Sequence, residues 1–275
     1  MIIDFHFHLA RRHELYKDVF EFCQKIWDKK DASFIDILNG SIDKYLESQG
    51  VDFAVGLAEI SPITTGIIDN EEVINICRNN KRLIPGCNIN PYLVRSPRAE
   101  LKRLYKMGFR VLKLYPTYQY FYPNERFLYP LYSEAENLNI PIMFHTGSSV
   151  FKGARLKYGD PLFLDDVAVD FPDLKILMVH GGRGFFYDRA FFLTRLHKNV
   201  FLEISGLPPE NLLKYFPEIE KIEKKVIFGS DFPSTGHVKD QIDKIRSLPV
   251  KDSLKKKILG DNAKKVLKIK GGVAV

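Results

Sequence analysis

Short apolar, β-branched runs recur along this 275-residue chain, separated by longer amphipathic stretches, and that alternation restricts the fold more than any other feature. The runs cover residues 2–8, 51–58, 83–88, 109–115, 140–145, 174–180, 200–205 and 226–231. Each is short and almost wholly apolar, as a parallel strand buried on both faces must be. Amphipathic segments at 42–48, 71–79, 98–106, 125–137, 161–171, 183–196, 209–223 and 252–267 supply a helix after each run. After the first run the spacing is roughly 25 to 35 residues, one βα unit apiece. Eight such units, in a chain close to the roughly 250 residues such a fold needs, predict an α/β protein: a (β/α)8 TIM barrel. The first connection is longer, so residues 9–40 are an insertion after the first strand. Phe20, Phe22, Ile26, Trp27, Phe34, Ile35 and Ile37 make it apolar enough to pack as a lid or an extra helix beside the barrel mouth. No linker or composition break divides the chain, which reads as one domain over residues 1–275.

Composition excludes several classes. With 45% hydrophobic and 27% charged residues the chain is neither disordered nor fibrous. A formal charge of +7 favours anionic partners in general. Much of the excess lies in Lys255 to Lys257, Lys264, Lys265, Lys268 and Lys270. These interleave with Leu254, Ile258, Leu259, Val266 and Leu267 at helical spacing, which describes the solvated face of an amphipathic helix. No aromatic residues alternate with these lysines, so nucleic acid is not an expected partner. Cys23, Cys77 and Cys87 are odd in number and widely spaced, which suits reduced thiols rather than a disulfide framework or a zinc knuckle. No apolar run approaches the roughly 20 residues of a membrane span, and the N-terminus lacks a secretory pattern. A cytoplasmic protein with no membrane partner is expected.

Chemistry enters at the ends of the runs. The first reads Asp4-Phe5-His6-Phe7-His8, and strict alternation turns His6 and His8 to one face, with Phe5 and Phe7 on the other. A lone histidine in an apolar run is usually a satisfied core residue. Two at i and i+2 cannot both be hidden without partners, so the pair favours metal ligation. Further runs end in His145, His180 and Asp231. A barrel brings all C-terminal strand ends to one face, where its active site is built, so residues over two hundred positions apart meet there. Imidazoles with one carboxylate suit Zn2+ first and also accommodate Mn2+, Fe2+ or Co2+.

These residues, in the order His6-x-His8, FHTG around His145, VHGG around His180 and GSDFP around Asp231, resemble the amidohydrolase superfamily. The likeness is greatest to its amidohydrolase-related branch, which contains aminocarboxymuconate-semialdehyde decarboxylase. Asn90-Pro91, the stretch from Gly108 to Pro116, and Gly260-Asp261-Asn262-Ala263 extend the resemblance over nearly the whole chain. It implies that His6, His8, His145 and Asp231 hold one divalent metal, with Asp231 also accepting a proton and His180 acting as a catalytic histidine. It implies hydrolysis of a small molecule, an amide, lactone or other ester, through a water activated by the metal. The alternative is non-oxidative decarboxylation of an unsaturated or aromatic carboxylic acid, with the proton reaching carbon from the water on the metal or through His180. A non-catalytic binding module is the remaining class.

Lys113, on the fourth run, has two roles open to it. In some amidohydrolases a lysine there is carboxylated and bridges a second metal; otherwise it is an amine paired with an acid such as Glu59 or with a substrate anion. Arg183, just after His180, either grips a substrate carboxylate or faces solvent from the next helix. Glu59, Asn88, Asn90, Tyr115, Glu203 and Ser205 also end runs on the expected active face. Tyr118, Tyr120, Phe121, Tyr122, Phe185, Phe186 and Tyr187 suit packing or a homodimer contact better than substrate walls. His13, His197 and His237 are read as surface or loop residues, with His237 near enough to Asp231 to reach substrate.

Overall fold

A computed structural model describes residues 1–10, 14–30 and 32–269. Lys270 and His13, singled out above, lie outside the described residues. Eight strands form one parallel sheet: β1 (Ile3–His8), β2 (Phe53–Leu57), β5 (Leu83–Asn88), β6 (Val111–Leu114), β7 (Ile142–His145), β8 (Ile176–Val179), β9 (Val200–Glu203) and β10 (Val226–Ile227). A two-stranded antiparallel hairpin, β3 (Glu59–Ser61) and β4 (Gly66–Ile68), stands apart from it. The ring closes between β10 and β1. Phe5 N–H donates to Phe228 O at 3.0 Å, Asp231 N–H to His6 O at 2.9 Å and His8 N–H to Phe232 O at 2.9 Å. The expected barrel is therefore the observed one.

Two apolar layers hold it. Ile3, Phe5, Val55, Leu57, Ile84, Val111, Met143, Leu177, Val179 and Ile227 fill the interior, where Ala263, Val266 and Ile269 of the C-terminal segment pack against them. The larger core lies outside the strands and beneath the surrounding helices. One expectation fails here. Phe5 and Phe7 do not share a face: Phe5 belongs to the interior cluster and Phe7 to the outer core. The register between β1 and β2 shifts between Asp4 and Phe7. A bulge there puts Phe5 and His6, which are consecutive, on the barrel side. Asp4 Oδ1 satisfies the backbone of this irregularity, accepting from His6 N–H at 3.0 Å and from Ser230 N–H at 2.8 Å.

Some helices differ from expectation for local reasons. The segment 209–223 is three short turns, Pro209–Asn211, Leu212–Tyr215 and Ile219–Ile222, because Pro217 cannot continue a helix. The helix after β8 starts at Tyr187, since His180 to Gly182 form a tight turn first. The C-terminal segment carries a π-helical turn at Lys257–Asp261, with Leu254, Ile258, Leu259 and Val266 buried and Lys264, Lys265 and Lys268 exposed, as amphipathic spacing requires. The hairpin β3–β4 was not foreseen.

The insertion folds as α1 (Lys17–Asp28) and α2 (Phe34–Asn39), ahead of α3 (Ile42–Ser48). It is anchored through Trp27, which is fully buried. Its Nε1–H donates to Pro233 O at 2.9 Å, and its ring meets Phe232 edge-on at 5.4 Å and His237 at 4.7 Å. The extra helix thus braces the loop that follows Asp231. Cys23, Cys77 and Cys87 are buried free thiols. No helix among the described residues is long and apolar enough to cross a membrane.

Candidate metal centre

A cavity of about 300 Å³ opens at the C-terminal ends of the barrel strands. His6, His8, Lys113, His145, His180, Arg183 and Asp231 all line it, so the seven residues predicted from sequence converge. Backbone geometry singles out two of them. His180 (φ 64°) and Asp231 (φ 61°) occupy the left-handed region, which side-chain-bearing residues enter only under constraint and which concentrates at functional sites.

At the floor, His6 Nε2 and His8 Nε2 are 3.1 Å apart, and Asp231 Oδ1 lies 3.4 Å from the first and 3.5 Å from the second. Three ligand atoms of the kinds that hold divalent cations therefore point at one small volume. His6, His180 and Glu203 form a second close group. His145 belongs to neither group, but its Nε2 is buried without a hydrogen-bond partner in the same cavity wall. Two imidazole nitrogens in contact and an orphaned third suit a cation better than they suit one another, since a buried polar atom without a partner costs free energy.

Burial holds His6, His145 and His180 well below the ordinary imidazole range, with Lys113 adding to the shift at His6 and His145 and Arg183 at His180. All three are neutral at neutral pH, the form that ligates metal. The second layer fixes their orientation. His180 Nδ1 is 2.8 Å from Ser205 O, and a carbonyl only accepts, so Nδ1 carries the proton and Nε2 the lone pair. Ser205 Oγ is 2.7 Å from both His6 Nδ1 and Glu203 Oε2.

Lys113 is completely buried and its Nζ has no hydrogen-bond partner, so of the roles left open by the sequence the pairing with Glu59 is not formed. Glu59 instead takes the Thr65 hydroxyl and faces His8 Nδ1 at 3.7 Å. Burial pushes the Lys113 amine down and the Glu203 carboxyl up, and each holds the other back, the ammonium favouring the carboxylate. Arg183 does not face solvent: its guanidinium donates to Ser148 O at 3.0 Å and lines the cavity. Gly147 allows this. At φ 82° it lets the Arg183 backbone pass where a Cβ would stand 2.3 Å from Arg183 O.

Glu59 and Tyr115 also line the cavity, and so does Tyr118, expected to pack or meet a second subunit; its ring stands 4.8 Å from that of His145. The remaining candidates are structural. Asn88 accepts from Ile60 N–H at 2.7 Å and donates to Lys113 O at 2.7 Å, tying the hairpin to β6, and Asn90 donates to Ile60 O. His197 bonds Asp165 at 2.6 Å, and His237 packs on Trp27 rather than reaching the cavity. Sequence reasoning missed the apolar wall supplied by Leu15, Val19, Phe22 and Cys23 of the insertion with Val150 and Phe151. It also missed the roles of Glu203 and Ser205, although their i, i+2 spacing is the same signal that marked His6 and His8.

The neutral imidazoles make a stability prediction for the metal-free protein. The unfolded chain takes up protons below the ordinary imidazole value of 6.5 that the native site refuses. Stability is therefore full above that pH and is lost as pH falls through it, by about 1.4 kcal/mol per pH unit for each such histidine. Asp4, raised by burial to about 6, opposes this, since the native state keeps a proton that the unfolded chain releases. Three histidines outweigh one carboxyl, so the urea midpoint should be lower at about pH 5 than at about pH 7. A flat or rising midpoint on acidification would contradict neutral imidazoles.

A closed parallel barrel with histidines and carboxylates converging on a cavity at its C-terminal face defines a barrel enzyme. The sequence profile of the amidohydrolase family matches residues 3–269, and the chain belongs to that family. Solved structures agree in fold. An uncharacterised TIM-barrel protein from Bordetella bronchiseptica is 21% identical, covering 97% of this chain and 98% of that one, with a TM-score of 0.79. A 5-carboxyvanillate decarboxylase from Novosphingobium aromaticivorans, complexed with manganese and 4-hydroxy-3-methoxy-5-nitrobenzoic acid, is 16% identical over 98% and 96%, with a TM-score of 0.66. A protein described as a probable 2-pyrone-4,6-dicarboxylic acid hydrolase from Acinetobacter baumannii is 16% identical over 98% and 99%, also with a TM-score of 0.66. No curated protein matches the chain by sequence.

Proposed function

We propose that the chain hydrolyses a small amide, lactone or other ester at one divalent metal, Zn2+ in the first instance, held by His6, His8, His145 and Asp231. The observation that carries this is the mutual approach of His6 Nε2, His8 Nε2 and Asp231 Oδ1, all within 3.5 Å of one another on the cavity floor. When bound, the metal supplies Lewis acidity and a lower pKa for water. Asp231 accepts the water proton at its carboxylate. His180, with Nδ1–H committed to Ser205 O, presents a bare Nε2 that takes this proton over from Asp231 and passes it to the leaving group, leaving both residues in their starting state. Arg183 and Lys113 place cationic donors in the cavity where a substrate anion would sit, and Leu15, Val19, Phe22 and Phe151 exclude water from an apolar portion.

Decarboxylation remains the second reading because Lys113, a buried amine whose Nζ makes no hydrogen bond, suits a substrate carboxylate. The known decarboxylase and the described hydrolase share this fold, so the fold does not separate the two chemistries. A panel of lactones and esters beside aromatic and unsaturated carboxylic acids, followed by acid release and by carbon dioxide evolution, separates them. Acid release on the first set is the expected result, and carbon dioxide from the second with none from the first would reverse the assignment. A homodimer is also proposed, supported by exposed Phe185, Phe192, Leu196 and Val169. A solution mass near the 31.8 kDa of one chain would refute it. A cytoplasmic location is also proposed, supported by the buried free thiols Cys23, Cys77 and Cys87, and export of the protein from the cell would refute it.

A further inference from the structure

Ser205 stands where three functional groups meet, and none of the roles above uses its hydroxyl. Its Oγ is 2.7 Å from His6 Nδ1, 2.7 Å from Glu203 Oε2 and 3.1 Å from His180 Nδ1, and its backbone carbonyl accepts from His180 Nδ1 at 2.8 Å. All four residues are buried.

A hydroxyl has one proton to give. Glu203 receives donors on both oxygens: Ser205 N–H reaches Oε1 at 3.0 Å, while His180 N–H at 3.4 Å and the Ser205 hydroxyl reach Oε2. A carboxyl so surrounded acts as an acceptor, so the serine proton goes to Glu203. The lone pairs of Ser205 Oγ are then left for His6, whose Nδ1 must be the protonated nitrogen. His6 Nε2, the atom 3.1 Å from His8 Nε2 and 3.4 Å from Asp231 Oδ1, is thereby left bare. The same residue holds the proton of His180 on Nδ1 through its carbonyl. Gly229 provides the room, because a Cβ there would stand 2.1 Å from Glu203 Oε1 and 2.7 Å from His6 Cβ.

We infer that the Glu203–Ser205 pair is a positioning device that fixes the tautomers of His6 and His180 together, so that both present an unprotonated Nε2 to the cavity. This rests on the metal-site reading for its consequence but not for its direct observable. Ligating histidines are oriented by what their other nitrogen bonds, and losing such a partner weakens metal binding about 10–100-fold.

The test uses the full-length chain labelled with 15N in its histidines. In metal-free wild type, both His6 and His180 should give the shifts of Nδ1–H tautomers. In Ser205→Ala, His6 should become a tautomer mixture while His180, still facing the backbone carbonyl, keeps its own. The Zn2+ dissociation constant, read by competition with a chromophoric chelator, should rise about 10–100-fold. Glu203→Gln preserves volume and serves if Ser205→Ala does not fold. It too should mix the His6 tautomers, because an amide can donate to Ser205 Oγ and release the serine proton toward His6. Unchanged His6 shifts and an unchanged Zn2+ constant in both variants would overturn the inference. Wild type that binds no Zn2+ would overturn the metal reading instead, with the tautomer shifts still deciding the role of Ser205.

Discussion

His6→Ala, purified without chelators beside wild type, is expected to lose its metal. Wild type should carry about one equivalent per chain by mass spectrometry, and the variant should bind Zn2+ more than about 100-fold more weakly. The size follows from position. Removing an outer partner of a ligating histidine already costs about 10–100-fold, and removing the ligand costs more. His6 is also the residue shared by both close donor groups, so no neighbouring side chain replaces it. A thermal readout checks this independently of composition. Metal bound only by the native state stabilises it by mass action, by about 4 kcal/mol when present at a thousandfold excess over its dissociation constant. A chelator should therefore lower the wild-type melting temperature and leave His6→Ala almost unmoved. His197→Ala, altered at the Asp165 contact outside the cavity, should behave as wild type. One full equivalent retained in His6→Ala at wild-type affinity would remove His6 from the ligand set. Two equivalents in wild type would instead implicate Lys113 as a carbamate bridging a second ion. None in wild type, even after reconstitution, would favour a binding module.

The barrel could be read from sequence because its strands are buried on both faces, which leaves short apolar runs with little else to be. The ends of those runs were equally legible, since parallel strands in a barrel must deliver their C-terminal residues to one place. Local departures were not. The bulge at Phe5 and His6 breaks strict alternation, and it depends on Asp4 accepting from Ser230, a residue 226 positions away. No window along the chain contains that contact. The insertion was visible as an apolar excess, but its attachment through Trp27 to Pro233 is also long-range, so lid and brace could not be told apart beforehand. Lys113 illustrates a third limit. Pattern placed it on the active face, yet Glu59 is taken by Thr65 on the unforeseen hairpin, so Lys113 Nζ makes no hydrogen bond and the acid whose charge bears on it most is Glu203.

His180→Asn separates catalysis from metal holding, and the backbone makes it the suitable substitution. At φ 64° most side chains are strained, whereas asparagine enters the left-handed region readily, so the turn through Gly181 and Gly182 should survive. What the variant loses is the imidazole Nε2, the bare nitrogen facing the cavity. A positioned proton-transfer group contributes about 100- to 10,000-fold to turnover, and a loss of that order is expected on whichever ester, lactone or acid the wild type consumes. Zn2+ stoichiometry should stay at the wild-type value, because His6, His8 and Asp231 converge without His180. Activity and metal lost together would reassign His180 from proton carrier to ligand, drawing on its second close group with His6 and Glu203. Activity within about threefold of wild type would instead leave Asp231 as the proton-handling residue, since the proton-transfer contribution expected of His180 would then be missing.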